Sequence, residues 1–311
     1  MTLKLGRRRY LSAKAFLDEA VFGVAKALVL TSIILVTLYP FWNTIIVSFN
    51  QAIDTTRGGL YLWPRIWTIT NFKSIWVSAN VPHALSISVA RALCSTVLNL
   101  FLTTMLAYAL SRREFVLRRP LTIIVLLSMY VNAGLFPNYF LIKNLHLNGT
   151  FWVYVVPTLI SAFNFIVIRT YIKTIPESLF ESARIDGTSD FRIFISFVLP
   201  LCKPVLATVA LFVAVGAWNA WFDTLLYNSN KPELFTLQYQ LMALLQQSMS
   251  QSRSAADVNA AGMAANIAAS MVTPVSIRAA GTIIATIPIL VVYPFLQKYF
   301  VMGMNVGSIK E

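Results

Sequence analysis

The sequence predicts an all-α, polytopic membrane protein with about six transmembrane helices, and three observations carry that expectation. Of 311 residues, 57% are apolar and only 12% are charged, against roughly a quarter charged in an average soluble domain. Six apolar stretches are each long enough to cross ~30 Å of hydrocarbon at ~1.5 Å rise per residue. Basic residues gather just outside alternate stretches, as positive-inside placement requires.

The stretches run over Phe22–Ser48, Leu85–Leu110, Leu121–Ile142, Trp152–Tyr171, Val205–Tyr227 and Arg278–Phe300. The first follows a basic start, but Val21 to Phe49 is too long for a cleavable signal and lacks a small-x-small exit, so it reads as an uncleaved span. The net charge of +13 first suggests a nucleic-acid partner. Its placement argues otherwise: Lys4, Arg7, Arg8 and Arg9, then Arg112, Arg113, Arg118 and Arg119, then Lys173, Arg184, Arg192 and Lys203 all fall on one expected side. That side is the cytoplasm, and with an even span count both termini lie there. The resulting division of one transmembrane domain, 1–311, is a cytoplasmic arm at 1–21, spans one to five at 22–227, an outer loop at 228–277, and span six with a cytoplasmic tail at 278–311. Within the outer loop, Ala255–Met271 suits one amphipathic helix.

Cys94 and Cys202 have no pairing framework and read as small buried hydrophobes. No residue set suits a metal. His83 and His146 are far apart, and no HExxH or Gly-x-Ser-x-Gly string is present, so neither a metalloenzyme nor a nucleophilic hydrolase is expected. The spans hold almost no carboxylates, which counts against an ion-coupled secondary transporter. No Walker loop is present, so any ATP chemistry must belong to a partner.

The segment 174–200 between the fourth and fifth stretches is the most informative. Thr174 and Glu177 fit a capping box with Pro176 in the first turn. Leu179, Phe180 and Ala183 follow at helical spacing, and Gly187 is the stop. Ser189 and Asp190 then cap a second helix, Phe191–Val198, which is expected to end before Pro200. Helix–turn–helix at a membrane face is by itself compatible with any polytopic protein.

The string Glu181-Ser182-Ala183, three residues, Gly187, nine residues, Phe197-Val198-Leu199-Pro200 resembles the EAA signature of ABC importer permeases, with Ser182 for the second-position Ala and Phe197 for Ile. Tyr39-Pro40-Phe41-Trp42, residues 58–64, Ala107-Tyr108-Ala109-Leu110-Ser111-Arg112, Trp218-Asn219 and residues 293–300 extend the likeness to the smaller, MalG-like permeases of carbohydrate importers (the MetI/MalG-like fold). Within that branch the chain resembles the subgroup for polysaccharide fragments, alginate and pectic oligosaccharides among them. The resemblance implies a non-catalytic inner-membrane subunit that binds no cofactor. Its implied partners are a second homologous permease, two ATPase subunits that carry ATP and Mg, and a periplasmic or lipid-anchored solute-binding protein. The solute is an oligosaccharide, and membrane lipid surrounds the spans. A permease for another solute is the alternative.

In that family 174–200 is a coupling segment that docks on the ATPase. The expected docking residues are Leu179, Phe180, Glu181, Ala183, Asp186 and Gly187, with Leu179 and Phe180 inserting and Glu181 fixing register. Polar groups within spans either line a pathway or tie helices together. The candidates are Asn43, Asn99, Asn132, Asn138, Asn164 and Asn219, with Trp218 and Trp221 either stacking on sugar or anchoring helices. Arg91 either snorkels outward or attracts an anionic substrate, with Asp223 as a possible partner. The long outer loop 228–277 is the expected contact for the binding protein, and the tail Met302–Glu311 for the ATPase.

Overall fold

The computed structural model describes residues 3–78, 80–131, 133–257 and 272–306, and only the backbone at 3–18, 248, 251–257 and 295–306. In chain order the helices are α1 (Leu3–Phe49), α2 (Ala52–Thr56), α3 (Thr70–Ser78), α4 (Val81–Ala109), α5 (Arg118–Tyr130), α6 (Leu135–Asn144), α7 (Ala162–Ile172), α8 (Glu177–Ile185), α9 (Asp190–Leu201), α10 (Lys203–Asn219), α11 (Phe222–Tyr227), α12 (Leu237–Asp257) and α13 (Pro274–Val306). Short 3-10 turns at Phe151–Tyr154 and Val156–Thr158 precede α7. No strand occurs among the described residues, where Asn50 and Trp67 form one isolated bridge.

Among the described residues, three segments are long and apolar enough to cross a membrane alone: Glu19–Phe49, Val81–Ala109 and Pro274–Pro294. Two bent pairs raise the number to as many as five. Phe151–Thr158 with Ala162–Ile172 turns by 48°, and Asp190–Leu201 with Lys203–Asn219 turns by 80°. The expected continuous stretch Leu121–Ile142 is instead divided into α5 and α6. Gly134, at φ 84° and ψ 180°, occupies a region open to glycine and closed to other residues, so no helix runs through it. The expected fifth span is also interrupted: α10 ends at Asn219, Ala220 is extended at ψ 125°, and α11 resumes two residues later. Such breaks are tolerated at membrane depth only where other groups satisfy the freed backbone.

The chain forms two compact units, Met1–Phe72 with Asn259–Ile283, and Lys73–Val258 with Ile284–Glu311. In the first, a polar knot orders the segment after α1. Asn50 Nδ2 donates to Asp54 Oδ2 (3.0 Å), Arg65 Nε to the same oxygen (2.8 Å), and Ile66 N to Asn50 Oδ1 (3.0 Å). These bonds hold the Asp54 carboxyl below its ordinary range, the Asn50 bond contributing most and Arg65 next. Trp42 Nε1 donates to Leu62 O (3.1 Å) and Asn43 Nδ2 to Leu60 O (2.8 Å), fastening the loop to α1. In the second unit α4 is the central helix and packs against α10 and α7. Residues 258–271, which include most of the helix expected over Ala255–Met271, lie outside the described residues; α12 covers the earlier part of that loop.

Candidate functional site: the segment between the fourth and fifth spans

The α8 helix begins differently from the sequence expectation. Its N-cap is Pro176, at ψ 132°, without a side-chain cap bond. Thr174 lies two residues outside the helix, and its hydroxyl donates back to Tyr171 O (2.8 Å). Glu177 is engaged elsewhere, accepting from Arg112 Nη1 at 3.3 Å. The capping box is therefore not formed, because a non-local partner takes the Glu177 carboxylate.

The helix ends as Gly187 requires. Thr188 N donates to Ala183 O (3.1 Å) and Gly187 N to Arg184 O (2.9 Å), the paired bonds of a Schellman turn. Gly187 sits at φ +72°, and an added Cβ would meet nothing within 4 Å. The penalty for replacing it is thus conformational rather than steric. Gly187→Val is expected to cost about 1–3 kcal/mol in this turn and to leave spans intact, read as faster proteolysis between 177 and 190.

After the turn, Ser189 caps α9 by accepting from Arg192 N. Pro200 does not stop the helix. Residues Phe194–Val198 widen into a π turn, in which Leu199 N reaches Phe194 O. The wider turn makes room where the Pro200 ring and absent N–H would otherwise break an α-helix. The chain then bends at Cys202 into α10.

One face of α8 belongs to the protein's own core. Phe180 is 1% exposed and Ala183 5%, packed with Tyr108, Phe165, Ile168, Phe194 and Val198. The Phe180 ring lies 6.2 Å from that of Tyr108, and the Arg112 guanidinium lies 3.9 Å above it. Phe180 and Ala183 therefore support the helix from beneath, correcting the expectation that Phe180 inserts into a partner and Ala183 meets it. Glu181, Ser182, Asp186 and Gly187 are exposed and Leu179 is half-buried. Ile185, which the sequence reading overlooked, is 86% exposed one turn beyond Glu181 on the same face. Its signal was an apolar residue out of phase with the Phe180/Ala183 stripe. Pro176, Ser178, Leu179, Ser182, Asp186 and Phe197 contribute to a shallow cavity of about 370 Å³ beside that face.

Arg184 closes the far end of α8, pairing with Glu114 and, at 3.3 Å, with Asp190. Its guanidinium holds the Glu114 carboxyl below the ordinary value of 4.5. The Glu114 bond in turn raises Arg184. A depressed carboxyl pKa stabilises the fold above the unfolded-state value and ceases to do so as pH falls through the folded one. Protease cleavage within 177–190 of the solubilised protein should therefore increase as pH falls below the ordinary carboxylate range, and Glu114→Gln should show that susceptibility already at neutral pH.

Two of the polar candidates, Arg91 and Asn99, lie on one seam of α4, and a third, Asn164, bonds to it. Arg91 Nη1 donates to Ala220 O (3.0 Å) and to Asp223 Oδ1 (3.0 Å), while Nη2 pairs with Asp223 Oδ2. Its guanidinium also lies 4.7 Å from the Tyr154 ring centroid. Ser95, Asn99 and Thr103 donate to Tyr154 O, Thr158 O (2.7 Å) and Leu159 O respectively, and Asn164 donates to Asn99 Oδ1 (3.3 Å). Ser88 accepts from Leu237 N (2.8 Å) at the start of α12. Arg91, Ser95, Asn99 and Thr103 thus satisfy carbonyls at the breaks in the fourth and fifth spans.

For several of these residues the structure favours the structural one of the two alternatives. Arg91, with its side chain 3% exposed, does not snorkel outward; it bonds the α10–α11 break and pairs with Asp223, the partner the sequence suggested. Asn99 and Asn164 tie helices together. Trp218 is 6% exposed and donates to Ala285 O (3.0 Å), so it anchors α10 to α13 rather than offering a stacking face. Asn43 holds the Leu60 carbonyl. Asn219 is exposed and accepts from Gln238 (3.3 Å), Asn138 is exposed and Trp221 half-exposed, and Asn132 lies outside the described residues. A four-residue polar spacing at Ser95, Asn99 and Thr103 was the available signal for the seam.

Residues 99–306, which contain Asn99 and Thr103 of this seam and the whole of 174–200, match the family described as the binding-protein-dependent transport system inner membrane component. The chain belongs to this family. It is a multi-pass inner-membrane permease subunit, and not itself a catalyst. Among similar proteins, Protein LplC of Bacillus subtilis (strain 168) is 35% identical over 291 residues, covering 93% of this chain and 95% of that one. The polygalacturonan/rhamnogalacturonan transport system permease protein YtcP of the same organism is 33% identical, with 89% and 93% covered. A crystal structure of a bacterial ABC transporter involved in the import of the acidic polysaccharide alginate aligns with a TM-score of 0.77 at 26% identity, covering 91% of the permease and 98% of the matched chain.

Proposed function

We propose that this permease is the smaller transmembrane subunit of an ATP-driven importer of oligosaccharides, with fragments of acidic polysaccharides as its solute class. The polyuronate named for one relative and the acidic polysaccharide named for the structural neighbour support that class. The observation that carries the ATP-driven part is α8: a short helix whose buried face rests on Arg112, Tyr108 and Phe194 while Glu181 and Ile185 stand free on the other. A helix braced from beneath and bare on top suits docking into a cleft on a separate ATPase subunit. In this arrangement Ile185 and Leu179 supply apolar insertion and Glu181 meets a basic group that fixes register. Asp186 and Gly187 shape the edge of the contact.

In the assembled importer this chain pairs with a second, homologous permease. Two ATPase subunits hold ATP and Mg, and a solute-binding protein delivers substrate on the opposite face. Segment 174–200 and both termini are cytoplasmic, in keeping with the distribution of Lys and Arg. Among the described residues, the exposed Asn138 and Asn219 and the half-exposed Trp221 remain for the pathway. Binding-protein-dependent ATP hydrolysis across a solute panel tests the solute class. Uronate oligosaccharides should stimulate more strongly than neutral ones; stimulation by amino acids or peptides, and not by sugars, would reject the carbohydrate assignment.

A further inference from the structure

The geometry points to Arg112 as a positioning residue that makes α8 move as one body with α4, and so couples ATP turnover to the transmembrane helices. This rests on the docking role proposed for α8. Arg112 lies just beyond the end of α4 with its side chain 9% exposed. Three contacts converge on its guanidinium: the Phe180 ring at 3.9 Å, the Tyr108 ring at 5.0 Å, and Glu177 Oε1 at 3.3 Å. A residue on the α4 side thus grips both the first residue of α8 and the aromatic ring beneath it. At the other end of α8, Arg184 reaches Glu114 in the same connection. The two ends of α8 are both bonded to residues 112–114.

A push on the exposed Glu181/Ile185 face therefore cannot shift α8 without either carrying α4 along or pulling Phe180 and Glu177 away from Arg112. The two clamps are not equal. Glu114 is 58% exposed and Arg184 31%, and exposed pairs hold weakly in water. Arg112 is desolvated against aromatic faces, where cation–π and ionic contacts are stronger. Further along α4, Arg91, Ser95, Asn99 and Thr103 hold the breaks in the fourth and fifth spans. Displacement of α4 thus reaches the two bent spans through direct hydrogen bonds, with Arg112 at the entry to that chain of contacts.

The test uses the complete importer, with both permeases, the ATPase subunits and the binding protein, reconstituted in proteoliposomes. Uptake, ATP hydrolysis and retained ATPase subunit are measured together for wild type, Arg112→Ala, Arg112→Lys and Glu177→Gln. Arg112→Ala should lower uptake per ATP hydrolysed by about tenfold while the ATPase subunit stays bound. Arg112→Lys, which keeps the charge but not the planar stacking, should recover part of that ratio. Glu177→Gln, a change at a half-exposed side chain, should lower it less. Uptake and hydrolysis falling in equal proportion, or an unchanged ratio in Arg112→Ala, would overturn the assignment. A wild-type permease that fails to retain an ATPase subunit would instead refute the docking role of α8, a distinguishable result.

Discussion

Replacing Arg91 by alanine is expected to lower the stability of the permease by about 3–5 kcal/mol, the range seen when one partner of a buried ion pair is removed. The substitution strands the Asp223 carboxylate and the Ala220 carbonyl at a point where α10 has already ended. Asp223 then keeps the bond from Thr224 N (2.9 Å) but loses its cation. By comparison, each interhelical Asn bond on the same seam is worth only ~0.6–2 kcal/mol. Thermal unfolding in detergent measures the effect, with Arg91→Lys expected to lose less because it retains the charge. Uptake should fall for every solute in proportion to folded protein. A selective loss of uronate uptake with folding intact would instead restore the substrate-attracting role.

Glu181→Lys is expected to abolish transport while the chain still inserts and remains folded. Glu181 is exposed on α8, so the change leaves the Phe180–Arg112 support untouched and reverses a charge only on the docking face. A like-charge contact with the ATPase costs several kcal/mol, far more than the ~0.2–1 kcal/mol a single exposed pair contributes. Loss of ATPase co-purification with normal membrane levels of Glu181→Lys is the expected measurement. Ile185→Ser should weaken the same contact, whereas Phe180→Ser should first loosen α8 itself and appear as proteolysis between 177 and 190.

The difference between Phe180 and Ile185 shows what the sequence could convey. Apolar spacing identified α8 as amphipathic, but an apolar stripe does not say whether it faces the chain's own core or a partner. The stop at Gly187 was legible because a Schellman turn is local and its φ demands glycine. The start was not, because Glu177 is claimed by Arg112 from 65 residues away. Apolar length likewise pointed to candidate membrane segments, yet it could not foresee the division of Leu121–Ile142 or place the breaks in the fourth and fifth spans. At those breaks side chains on α4 donate to the carbonyls, and Asn99 reads equally well as a pathway residue until its partner at Thr158 is seen. Gly134 marked the division of α5 from α6; Ala220, extended with its carbonyl held by Arg91, carried no such mark.

ATP hydrolysis by the purified, reconstituted importer, measured with and without its loaded binding protein, tests most directly whether this chain works as an ATP-coupled permease through α8. Hydrolysis and uptake should both rise when the loaded binding protein is added, and both should vanish in Glu181→Lys. Uptake that continues without the ATPase subunits, or that is unaffected by Glu181→Lys, would contradict it.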